Sequence, residues 1–198
     1  MQLREIIKMI VVLTLMAAVC GGGLSLVKMA TAEQITYQKI KNIKEPALKK
    51  VLTGYDNDPV TDRKDIVTGK DKKGKDIITT FFFAKSGGKV ISVAFETSAG
   101  GFHGDVGVMV AVNPATDKLD GCAITTQTET PGVGTRVADD PSFCAQFKDK
   151  SVSENFGLTS AGGVVQGLSG ATVSSTGVSN AMKAGIEVYK KYKSQLGV

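Results

Sequence analysis

The spacing of apolar and polar residues changes character three times along the chain. Met9 to Val27 is a run of 19 residues without a charge, and as a helix rising ~1.5 Å per residue it covers roughly the ~30 Å of a bilayer's hydrocarbon core. Ala32–Leu52 mixes helix formers with Lys and Glu, and Ile35, Ile40, Ile43, Ala47, Leu48 and Val51 give an uneven apolar stripe. That pattern predicts a helical stalk interrupted at Pro46. Gly54 to Lys75 is polar and predicts a loop or hairpin. From Ile77 the period falls to two and β-branched residues dominate. Ile77–Ala84, Val90–Thr97, Val106–Asn113 and Leu119–Gln127 read as strands separated by glycine-rich and Asn-Pro turns, which predicts an antiparallel sheet. Pro141–Phe147 reads as a short helix behind Asp139-Asp140, and Gly163–Gln166 as a short strand. In Ser174–Leu196, Val178, Met182, Ile186, Tyr189, Tyr192 and Leu196 recur every three to four residues, the pattern of an amphipathic helix, with lysines complementing its C-terminal dipole.

The class that follows is α+β: a single N-terminal transmembrane helix, a helical stalk, then an antiparallel sheet with packed helices. The expected boundaries are 1–30 for the anchor, 31–76 for the stalk and polar connector, and 77–198 for the folded domain. Arg4 and Lys8 precede the apolar run and only Lys28 follows closely, so the positive-inside tendency leaves the N-terminus in the cytoplasm. Two other readings fit the same segment. One is a signal peptide cleaved after Ala30-Thr31-Ala32; the other is a lipoprotein anchor at Cys20, against which Val19 counts. All three put the domain outside the cytoplasm, where a bridge between Cys122 and Cys144 is chemically permitted.

Charge narrows the function. The net charge of +5 divides as +2 over residues 1–30, +3 over 31–76 and zero over 77–198. A nucleic-acid binder carries its excess as a patch on the folded module, so no nucleic-acid partner is expected. One histidine, His103, and three scattered cysteines give no metal-ligand spacing and no basis for a histidine-dependent nucleophile, so the metal ligands and catalytic acid–base residues are both expected to be none. Phe81, Phe82 and Phe83 cannot all face one side of a strand; two are expected in the core and one against a partner or ligand.

Two short segments carry candidate chemistry. Ser169-Gly170-Ala171-Thr172-Val173-Ser174-Ser175-Thr176 places small and hydroxyl residues at the start of the last helix, where unpaired backbone N–H groups hold an anion. By residue types alone, an ordinary N-cap through Ser174 or Ser175 explains it better. Glu129-Thr130-Pro131-Gly132-Val133-Gly134 is built to turn sharply and to let backbone approach a planar ligand. By itself it is more simply a β-turn with an exposed Glu.

Taken together and in this order behind one apolar span, the two segments resemble the covalent FMN-binding domain family. The similarity is to the G-subunit branch of the Rnf-type electron-transport complexes. The resemblance implies that the Thr172 hydroxyl forms a phosphoester with FMN. It places Ser169, Gly170, Ala171 and Ser174 at the phosphate end, and Glu129, Thr130, Gly132 and Val133 near the isoalloxazine ring. It also implies an electron-carrier component of a membrane-bound ion-translocating ferredoxin:NAD oxidoreductase, on the outer side of a bacterial inner membrane. The implied partners are the other components of that complex and a separate flavin transferase for maturation. The alternatives are the C-subunit of a sodium-pumping NADH:quinone reductase, or an anchored scaffold protein that never receives flavin. Val133 replaces a leucine of the family pattern, and Gln166 stands where many relatives have an acid.

Overall fold

The computed structural model describes residues 3–70 and 74–198. The chain divides into two compact units, Met1–Lys41 and Asn42–Val198. The first is essentially one helix, α1 (Leu3–Lys39), in which the most apolar 18-residue stretch within Arg4–Ala32 has a mean hydropathy of 2.3 and none of it is buried. It is long and apolar enough to cross a membrane.

The second unit is built on a five-stranded antiparallel meander, in the order β1-β2-β3-β4-β5. The strands are β1 (Arg63–Lys70), β2 (Asp76–Ser86), β3 (Lys89–Gly100), β4 (Asp105–Asn113) and β5 (Lys118–Thr126). Four of them lie where the period-two pattern placed them. β1 falls within the segment expected to be loop or hairpin, and only Ile66 of its residues is buried. As an edge strand it pairs along one side with β2, so its residues carry little apolar signal.

The sheet is covered on both faces. Helix α5 (Thr172–Leu196) lies across one, where Val178, Ala181, Met182, Ile186 and Tyr189 join Phe81, Phe83, Phe95, Val108 and Val110 in the main core. Helix α2 (Glu45–Val51) covers the other, with Ala47, Leu48, Val51 and Leu52 against Phe82, Ala94, Met109 and Ala123. Two expectations change. All three phenylalanines are buried, because the face that seemed to need a partner is covered by the chain itself. Pro46 sits in the first turn of α2, where its missing N–H costs nothing; a π-helical turn at Ile40–Lys44 precedes it. The packed unit therefore begins at Asn42, earlier than residue 77.

Short α3 (Arg136–Asp139) and α4 (Pro141–Ala145) follow β5. Asp140 caps α4, accepting from the Ser142 N–H at 2.9 Å. The strand expected at Gly163–Gln166 reduces to one parallel bridge, Leu158 to Val165.

Candidate functional site

Glu129 is the junction of the site. It follows β5, and its backbone N–H donates to Gln127 Oε1 at 2.7 Å. The residue is 5% exposed, and a buried carboxylate requires partners. Oε1 accepts from the backbone N–H groups of Phe102 and His103 at 2.9 and 3.1 Å, while Oε2 accepts from the Ser174 hydroxyl. One carboxylate thus joins the 101–104 loop, the loop after β5 and the first turn of α5. Burial pushes its pKa up, but the hydrogen bonds from Ser174, His103 and Phe102 pull it down and prevail, so the group stays below the ordinary glutamate range. The exposed-turn alternative is not what forms.

The loop itself closes on Thr130, whose carbonyl accepts from the N–H groups of Val133, Gly134 and Thr135 at 3.2, 2.9 and 3.2 Å. Gly132 donates its N–H to Thr135 Oγ1 at 3.0 Å. Gly134 is required by close approach. A Cβ there would lie 2.7 Å from both Glu129 Cβ and Ser174 Oγ, inside any tolerable contact. Thr130, Gly132 and Val133 remain exposed, and the Thr130 hydroxyl meets His103 Nδ1 at 3.2 Å.

The second segment arrives opposite. The Arg136 guanidinium donates to the Ser169 carbonyl at 3.0 Å, and Gly170 takes φ +79°, a conformation glycine adopts without strain. Ala171 is buried and forms the N-cap of α5, so no side chain caps the helix. The serines expected to cap are used elsewhere: Ser174 on Glu129, and Ser175 Oγ accepting from the Leu168 N–H at 3.0 Å. The first turn of a 25-residue helix is thereby left to present its N–H groups and the positive end of its dipole. Ser169, Gly170 and Thr172 are exposed there, and Thr172 brings a hydroxyl.

Several neighbours were not singled out from sequence. Arg136 positions the Ser169 loop, and Phe102 (64% exposed) and Val173 (51%) join Val133 (46%) as apolar side chains open to solvent on the three joined segments. A lone apolar residue in a loop or at a helix start carries no periodicity, so only the fold shows that these three stay open to solvent. Gln166 is exposed and held by its backbone, its N–H donating to Gln146 Oε1 at 2.7 Å. A cavity of about 520 Å³ between the sheet and α5 is lined by none of these motif residues. The residues present fit a flavin nucleotide: an uncapped helix start beside a hydroxyl suits a phosphate, and exposed apolar side chains flanking a tight backbone loop suit a planar ring.

Residues 101–187 match the model of the FMN-binding domain family. The G-subunit of an ion-translocating oxidoreductase complex from Methanosarcina acetivorans is 29% identical over 185 residues, covering 93% of this chain and 94% of that one. Its counterpart from Shewanella piezotolerans is 25% identical over 98% of this chain and 93% of its own. Among solved structures, NqrC of Shewanella oneidensis superposes with a TM-score of 0.54 at 24% identity, covering 72% of this chain and 75% of that one, and so shares the fold.

Proposed function

We propose that residues 101–187, which match the FMN-binding domain model, form such a domain, and that the whole chain is the FMN-carrying electron-transfer G-subunit of a membrane-bound, ion-translocating ferredoxin:NAD oxidoreductase complex. Likeness to G-subunit proteins along nearly the full chain supports that place in a complex. The observation that carries the cofactor reading is the uncapped start of α5 with Thr172 exposed on it. Thr172 is the attachment residue: its exposed hydroxyl oxygen would hold FMN through a phosphoester. Ser169 and Gly170 shape the approach to that oxygen, Ala171 leaves the backbone N–H groups uncapped, and Ser174 holds the turn in place through Glu129. Thr130, Gly132 and Val133 border the ring. Bound FMN supplies one- and two-electron chemistry that no side chain here offers. A phosphoester retains it where free flavin is scarce, which fits a domain anchored by α1 outside the cytoplasm.

Thr172→Ala tests this. The protein from its native membrane is expected to fluoresce as a denatured gel band and to weigh one FMN, less one water, above its polypeptide. T172A is expected to lose both signals while T172S keeps some. A native mass equal to the bare chain, in an assembled complex, would leave the scaffold reading standing instead.

A further inference from the structure

Cys122 on β5 and Cys144 on α4 bring their sulfurs to 3.6 Å, and both are free thiols. The contact is fixed by packed elements. Cys122 lies opposite Val110 in the ladder, and α4 is held by its Asp140 cap and by Phe143, buried edge-on to Phe147 with ring centroids 6.1 Å apart. The two thiols are not equivalent. Cys122 is buried and Cys144 half-buried, and both line a cavity of about 390 Å³ bounded by α2, β5 and α4, with Lys50 and Lys148 in its wall. The Cys122 thiol donates toward Cys144, and that hydrogen bond, against the opposing effect of burial, lowers the Cys144 thiol with help from the Ile124 N–H and Lys50. The same hydrogen bond and burial push Cys122 up.

We propose that Cys122 and Cys144 are a dithiol/disulfide pair, with Cys144 the attacking and Cys122 the resolving thiol, oxidised by a donor disulfide that reaches Cys144 through this cavity. The Cys144 thiolate attacks one sulfur of the donor. The donor's S–S bond breaks, one donor thiolate leaves, and a mixed disulfide remains on Cys144. Cys122 then loses its proton to solvent and attacks Cys144 Sγ, forming the intramolecular bond and releasing the second donor thiolate. Two protein thiols lose two electrons and two protons, and one donor disulfide becomes two thiols. Closing from contact to a bond of ~2.05 Å requires about 1.5 Å of sulfur movement.

The bridge joins positions 22 residues apart, and the segment it encloses contains the whole Glu129–Gly134 loop. It therefore constrains the least regular part of the site, whether or not flavin is present. The test uses full-length Cys20→Ser protein in detergent, equilibrated with reduced and oxidised glutathione, alkylated with iodoacetamide and digested with trypsin without reduction. Cleavage at Lys118, Arg136 and Lys148 should release Leu119–Arg136 and Val137–Lys148 joined, separating on reduction. In Cys122→Ala, glutathione should stay trapped on Cys144; in Cys144→Ala, Cys122 should stay unmodified until denaturation. The oxidised form should melt about 5–10 °C above the reduced one. Two alkylated cysteines at every glutathione ratio would overturn the pair, the reverse trapping pattern would overturn the assigned roles, and a bridge with no melting shift would overturn the constraint on the loop.

Discussion

The carboxylate of Glu129 shows how one residue holds three segments of a site together. Both its oxygens accept hydrogen bonds from the protein, so it acts on whatever binds by fixing three segments. Hydrogen bonds to a charged acceptor contribute about 1.5–3 kcal/mol each. Glu129→Gln is expected to lower unfolding stability by about that much, read by urea denaturation, and to weaken flavin retention with Thr172 intact. The pH dependence has a definite sign. The folded carboxyl lies below its ordinary value of 4.5, so its contribution is present above that value and lost as pH falls through the folded value. The stability gap between wild type and E129Q should therefore hold above pH 4.5 and narrow as pH falls below that value; a gap that stays constant below it would show that Glu129 is not held ionised. Gly134→Ala drives a methyl into Glu129 and Ser174, and its expected cost is about 1–3 kcal/mol, measured the same way.

At the level of elements, α5 does two jobs at different places along its length. Its first turn faces the site, and its middle buries Val178, Met182, Ile186 and Tyr189 against the sheet. Tyr189 is anchored further by its hydroxyl, which donates to Asp117 Oδ1 at 3.1 Å, and Lys193 meets the same oxygen at 2.7 Å. Met182→Ala should cost about 2–5 kcal/mol and lower the denaturation midpoint without moving the flavin spectrum of the folded fraction, because the cavity it leaves lies more than two helical turns from Thr172. A spectral change at full folding would mean that the core of α5 sets the position of its first turn.

On the scale of the whole molecule, the packed unit starts at Asn42 because α2 and β1 complete it. A chain beginning at Asn42 is expected to fold and melt cooperatively. One beginning at residue 77 lacks α2 and β1, exposes Phe82 and Met109 to water, and is expected to aggregate; light scattering and near-UV circular dichroism separate the two. A well-folded chain from residue 77 would show that the second sheet face needs no cover.

The sequence by itself determined the apolar span, four of the five strands, the amphipathic last helix and the two motifs. Each of these is written in local spacing or in a short run of special residues. Tertiary structure decided what depends on residues distant along the chain. One of Phe81, Phe82 and Phe83 looked available to a partner until α2 covered Phe82, and β1 was hidden because an edge strand with one buried residue has no period to read. Glu129 looked like an exposed turn residue until Phe102, His103 and Ser174 closed around it, and Cys122 and Cys144 became a pair only when β5 and α4 packed. Periodicity reports which face of an element is apolar, whereas burial of a charge and contact between two sulfurs depend on what arrives from elsewhere in the chain.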